Sequence, residues 1–146
     1  MSEREAVVVA AWQYEPPYSF YDWTADADDL AELLGKQTRE GKYFSAVGAD
    51  EELVGWFAFA YEGDCVVVGL GLRPDLTGRG LGVAYLQAGL AFATQRFTPS
   101  RFRLSVATFN ERAIRVYQRA GFSPLRTFDH ATNGGIHPFL EMTRPA

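Results

Sequence analysis

Residues 110–122 read Asn-Glu-Arg-Ala-Ile-Arg-Val-Tyr-Gln-Arg-Ala-Gly-Phe, and their spacing predicts one short amphipathic helix with both ends marked. Asn110 is a good N-cap, because its side chain can accept from the backbone N–H groups left over in the first helical turn. Ala113, Val116, Tyr117 and Ala120 fall on one face, with Glu111, Arg112, Arg115, Gln118 and Arg119 mostly elsewhere. Gly121 is placed as a left-handed stop, and Phe122 can pack back on Val116 or Tyr117.

Upstream, Phe102, Leu104 and Val106 alternate with Arg101, Arg103 and Ser105, the period of a strand. Before it comes an apolar helix over about 81–97. The turn ahead of that helix reads Thr77-Gly78-Arg79-Gly80-Leu81-Gly82, and the strand ahead of the turn is Cys65-Val66-Val67-Val68-Gly69-Leu70-Gly71-Leu72. A glycine-rich turn between a strand and a helix lets backbone approach an anion, and the helix start offers free N–H groups for phosphate oxygens. It is not a dinucleotide fingerprint: G-x-G-x-x-G fails from Gly78, which meets Val83, and from Gly80, which meets Tyr85. No Gly-Lys-Ser/Thr exists for a P-loop. Taken alone the turn is equally a tight strand-to-helix connection.

Further out, 43–47 and 53–61 predict a hairpin, and the tail predicts another over about 123–129 and 136–143 around Thr132-Asn133-Gly134-Gly135. A helix is expected from near Thr24 to Gly35, with Asp26, Asp28 and Asp29 at its positive end. Ser2-x-x-Glu5 is a capping box ahead of Val7, Val8 and Val9; the cap favours helix, the valines strand, and helix is the preferred reading. Prolines 16 and 17 keep the aromatic stretch 14–23 from continuing any helix. Strands in a meander followed by strand–helix–strand–helix make a mixed α/β sheet.

The chain has 146 residues with 47% hydrophobic and 22% charged, enough for one domain with a core. A formal charge of −4 gives no nucleic-acid footprint. Cys65 is the only cysteine, so neither an intrachain disulfide nor a cysteine metal cluster is expected. With no leader pattern and no apolar run near the ~20 residues of a membrane span, a reducing, cytoplasmic setting is expected.

With both motifs in view, the chain resembles the GNAT (GCN5-related N-acetyltransferase) superfamily. That family's phosphate motif runs Gln/Arg-x-x-Gly-x-Gly/Ala, and Gly80-Leu81-Gly82 match its second half. Its later pattern, an Asn, an Ala three residues on, a Tyr four further and then Gly-Phe, is met by Asn110, Ala113, Tyr117, Gly121 and Phe122. The likeness covers about residues 24–143. It departs at Thr77, where the family has Gln or Arg. It departs again in a carboxylate-free strand 65–72, and at the start. There the family's first strand is absent, is supplied by Val7 to Val9, or is cut off.

The resemblance implies one N-acetyltransferase domain over 1–146, built on a central mixed, mostly antiparallel sheet of six or seven strands with about four flanking helices. It implies acetyl transfer from the co-substrate acetyl-coenzyme A to a primary amine, on a small molecule or a peptide, by direct attack in a ternary complex. The alternative is an acyl-coenzyme-binding module without turnover. Backbone groups of Leu70 and Leu72 would bind the acetyl–pantetheine arm. Thr77, Gly78, Arg79, Gly80 and Gly82 would form the pyrophosphate turn, and Asn110 would contact the coenzyme. Tyr117 would be the general acid, since a phenol of pKa ~10 can protonate a thiolate of ~8.5. The base is open among Glu15, Asp22, His130, His137 and Glu141. Tyr18, Tyr21 and Trp23 would wall the acceptor site, apart from the coenzyme. No metal and no membrane partner is expected, and the enzyme would be a monomer or homodimer.

Overall fold

The computed structural model describes residues 1–146. Its helices are α1 (Glu3–Ala10), α2 (Ala27–Leu34), α3 (Lys36–Arg39), α4 (Gly82–Phe97) and α5 (Glu111–Arg119). Its strands are β1 (Tyr43–Val47), β2 (Leu53–Glu62), β3 (Cys65–Leu72), β4 (Arg101–Ala107), β5 (Ser123–Thr132) and β6 (Gly135–Pro145). They form one six-stranded sheet in the order β1-β2-β3-β4-β6-β5. Every neighbouring pair is antiparallel except β3 with β4. The sheet is thus mixed and mostly antiparallel, with five helices where about four are expected.

The capping box forms: Glu5 N–H donates to Ser2 Oγ at 3.1 Å and Ser2 N–H to Glu5 Oε1 at 2.9 Å. Val7 to Val9 are therefore helical and supply no strand. The helix wins because Ala6 and Val9, three apart, are fully buried, while Val7 and Val8 face solvent.

Alternation along β2 assigns the helices to opposite faces. Phe57 and Phe59 join the larger core, with Leu86, Leu90 and Ala93 of α4 and with Val66, Phe102 and Met142. Ala58 joins the smaller core, with Ala6 and Val9 of α1, Leu33 of α2, Trp23 and Tyr43. Gly89 lets α4 settle on the sheet, since a Cβ there would overlap the Phe57 ring. The second hairpin turns through Asn133 (φ 53°) and Gly134 (φ 72°), both left-handed as a tight two-residue turn requires. No helix is long and apolar enough to cross a membrane.

The feature that makes a site is a break in the sheet. β3 and β4 pair only from Cys65 to Val67 and from Arg101 to Arg103, and no connection closes them beyond. Arg73 N–H donates to Val54 at the β2 side, so by alternation the odd residues of β3 address β2. The N–H and C=O groups of Leu70 and Leu72 then face the gap. On the far side, Thr108 N–H donates to Pro138 of the β6 side, which turns the groups of Ser105 and Ala107 into the same gap.

Candidate active site

The gap opens into a cleft of about 620 Å³, large enough for a cofactor-sized ligand. Leu70, Leu72, Thr77, Gly78, Gly80, Gly82, Asn110 and Tyr117 all line it, as do Tyr18, Tyr21 and Trp23. Two sequence motifs 30 residues apart meet here because α4 and α5 pack together: a Cβ on Gly82 would sit 3.0 Å from Val116 Cγ2. That glycine serves helix contact, whereas Gly78 (φ 71°) and Gly80 (φ 75°) serve the bend of the turn.

Two of the expected phosphate contacts lie differently. Arg79 is exposed and does not line the cleft. It sits near Asp75, whose carboxyl is held below the usual value chiefly by Arg73. The Thr77 hydroxyl donates back to Pro74 C=O at 2.7 Å. Instead Arg112, Arg115 and Arg119 line the cleft, with Arg112 Nη1 3.4 Å from where a Gly78 Cβ would be. Their spacing of three and four places them on one helical face. In the sequence these arginines are marked only as lying off the apolar face of the helix, and nothing local shows that they turn toward the glycine turn.

Tyr117 packs against Phe122, ring centroids 6.4 Å apart. Burial, then the neighbouring Tyr21, pushes its phenol above the ordinary value of 10.0, so it carries its proton at neutral pH. Asn110 is buried; its Oδ1 accepts from Ala113 N–H at 3.1 Å, capping α5, and its Nδ2 donates to Tyr21 Oη at 3.3 Å.

The aromatic segment 14–23 does not keep to one end of the cleft. Tyr14 Oη donates to Leu72 C=O at 2.6 Å, its phenol pushed up to about 12 by burial and then by Asp22. The Arg112 guanidinium lies 4.0 Å from the Tyr18 ring centroid. Tyr21 accepts from Ala107 N–H at 3.3 Å. Three hydroxylated rings from one segment thus reach residues of both separated strands and of α5. Trp23 is 9% exposed and packs at a tilt against Trp56, centroids 5.1 Å apart, so much of it is core. The segment is tied to the second hairpin, where Asn133 Nδ2 donates to Phe20 C=O at 2.7 Å and Asn133 N–H to Asp26 Oδ2 at 2.8 Å.

Of the groups considered as a base, Asp22 and His130 line the cleft; Glu15, His137 and Glu141 do not. Glu141 is buried and paired with Arg126 at 3.3 Å, a structural role. Asp29, overlooked in the sequence as a helix-start acid, also lines the cleft. Its carboxyl is raised by burial, then by the negative charges of Asp26 and Glu32. Cys65 is buried outside the lining, its thiol raised mainly by burial.

The acetyltransferase (GNAT) family model matches residues 5–122. Solved structures share the architecture. One is a chimera of the spermidine N-acetyltransferase SpeG from Vibrio cholerae and hSSAT, with a TM-score of 0.78 at 18% identity. That match covers 98% of this chain and 90% of the other. A GNAT-family acetyltransferase from Bacillus anthracis gives 0.75 at 16% identity, over 99% and 91%. The Vibrio cholerae spermidine N-acetyltransferase in complex with CoA and spermine gives 0.67 at 20%, over 98% and 85%. At such identities these likenesses speak for the fold. No curated protein matches the sequence.

Proposed function

The chain belongs to the acetyltransferase (GNAT) family, whose members use acetyl-coenzyme A as co-substrate, and from that premise we propose that it acetylates a cationic primary amine by direct attack in a ternary complex. The observation that carries this reading is the separation of β3 from β4 beyond Val67 and Arg103. It leaves Leu70 and Leu72 backbone facing a cleft that Tyr117 and the glycine turn also line.

In this reading Leu70 and Leu72 hold the acetyl–pantetheine arm and Asn110 contacts it. The turn 77–82 and the N-terminus of α4 take the pyrophosphate. Arg112 supplies the long cationic side chain that Thr77 lacks. Tyr18, Tyr21 and Trp23 form an aromatic wall for the acceptor, and Asp22 and Asp29 favour a positive charge there. A small polyamine suits that end, and spermine is what one structural neighbour holds; the amino group of a peptide is the other acceptor class.

The chemistry balances simply. The neutral amine nitrogen forms the C–N bond with the thioester carbonyl carbon, the C–S bond breaks, and the thiolate takes the Tyr117 proton. The amine's surplus proton leaves through Asp22, Asp29 or His130 to water, and water reprotonates Tyr117. Direct attack is favoured over an acyl-enzyme because Cys65 is buried away from the cleft. The whole of 1–146 acts as one domain, as a monomer or homodimer in a reducing cytoplasm.

Initial-rate kinetics test this. Thiol release from acetyl-coenzyme A should require an amine, with reciprocal plots that intersect when both substrates are varied. Parallel lines would instead demand an acetylated enzyme. Tight coenzyme binding with no turnover across polyamines and peptides would favour the binding module.

A further inference from the structure

Tyr21 is held in a way that no packing role requires. A phenol oxygen has one proton to give and lone pairs to accept with. In Tyr21 the oxygen accepts twice, from Ala107 N–H and from Asn110 Nδ2, both at 3.3 Å. The orientation of Asn110 is not free, because its Oδ1 accepts from Ala113 N–H at 3.1 Å as the cap of α5. Its amide must therefore present N–H to Tyr21. With both donors arriving from the protein, the Tyr21 proton is sent away from them, and no protein group accepts it. Tyr21 lines the cleft, so that proton is offered to whatever binds there.

The relay has a direction. It starts at the N-terminus of α5, where the helix dipole is positive. It runs from Ala113 N–H to Asn110, from Asn110 to Tyr21, and from Tyr21 into the gap between β3 and β4. Hydrogen bonds in series polarise one another, so the last member is a stronger donor than a lone tyrosine. Burial keeps the phenol protonated, against the opposing pull of its Asn110 and Ala107 bonds. Tyr117, by contrast, has no hydrogen bond behind it.

We propose that Tyr21 is a catalytic residue whose hydroxyl donates a hydrogen bond to the thioester carbonyl oxygen of bound acetyl-coenzyme A. It thereby holds the negative charge that forms on that oxygen when the amine attacks. This rests on the acetyltransferase reading above. No proton leaves Tyr21: the carbonyl electron pair moves to oxygen on attack and returns as the C–S bond breaks, while Tyr117 protonates the thiolate. The ring of Tyr21 remains part of the acceptor wall, and the hydroxyl belongs to the coenzyme.

Tyr21→Phe keeps the ring, which packs on Phe20 and Phe109 with centroids 5.3 and 5.9 Å away. It should leave the melting temperature and both KM values within about twofold, and lower kcat by roughly 10²-fold, the scale of one lost oxyanion donor. The decisive measurement is the isotope-edited infrared band of [1-13C]acetyl-coenzyme A bound to each protein. The thioester carbonyl stretch should lie lower on the parent than on Tyr21→Phe, and lower still with 3-fluorotyrosine, a stronger donor, at position 21. An identical band in all three, or a variant altered only in amine KM, overturns the proposal. Failure of the parent to bind acetyl-coenzyme A removes the underlying reading as well, and is distinguishable because no bound band then exists.

Discussion

In the proposed reaction, burial and chemistry work together at Tyr117. A phenol raised by desolvation is a weaker acid, but the departing thiolate is an anion in the same cleft, and the same desolvation raises its proton affinity. The relative driving force survives, and the phenol remains protonated until it is needed. Tyr117→Phe should lower kcat by roughly 10²-fold, the usual worth of a positioned general acid. Acetyl-coenzyme A affinity and melting temperature should hold, because the contact with Phe122 is made by the ring. Steady-state rates beside a thermal melt check this, and equal rates would assign Tyr117 to packing. Arg112 is a residue whose proposed role no local pattern signals: an arginine on a polar helix face is ordinarily solvated. Only the fold brings it to Gly78. Arg112→Ala should weaken acetyl-coenzyme A binding by roughly tenfold or more, as expected for a lost hydrogen bond to a charged group, with kcat nearly unchanged. Equal coenzyme affinity in parent and variant would exclude a phosphate contact.

At the scale of elements, the meeting of α4 with β2 decides a substitution that local propensity would misjudge. Gly89 lies inside α4, where alanine is intrinsically the better residue by about 1 kcal/mol. A Cβ there overlaps the Phe57 ring, which is itself stacked on Tyr85 with centroids 4.6 Å apart and has little room to yield. Overpacking of this kind costs about 1–3 kcal/mol, so it outweighs the helical gain. Gly89→Ala should destabilise the protein in urea unfolding, and a rise in stability would contradict the packing assigned here. The same scale shows what was legible beforehand. Both hairpins and the strand–turn–helix at 65–97 lie within a few residues of their predicted limits, because alternation, Asn-Gly and cap residues act locally. Segment 14–23 was legible only as aromatic and irregular. Its hydroxyls reach Leu72, 58 residues away, and Ala107, 86 residues away, and no local pattern encodes such partners. It is expected to wall the acceptor site, and its hydroxyls also meet Leu72 and Asn110, two residues that the proposed function gives to the coenzyme.

Across the whole molecule, a net charge of −4 masks a division of labour. Arg112, Arg115 and Arg119 line the cleft, Arg112 beside the glycine turn, and the carboxylates of Asp22 and Asp29 line it as well. A polyanionic coenzyme and a cationic amine can thus approach one cleft, each toward opposite charge. What joins the two ends is the break in the sheet, where two strands that should pair do not. The most direct test of this account is a calorimetric titration of acetyl-coenzyme A into the purified chain at low and high salt. Saturable binding at one site per chain is expected, weakened as salt screens the three arginines. No binding heat at millimolar ligand, at either ionic strength, would contradict it.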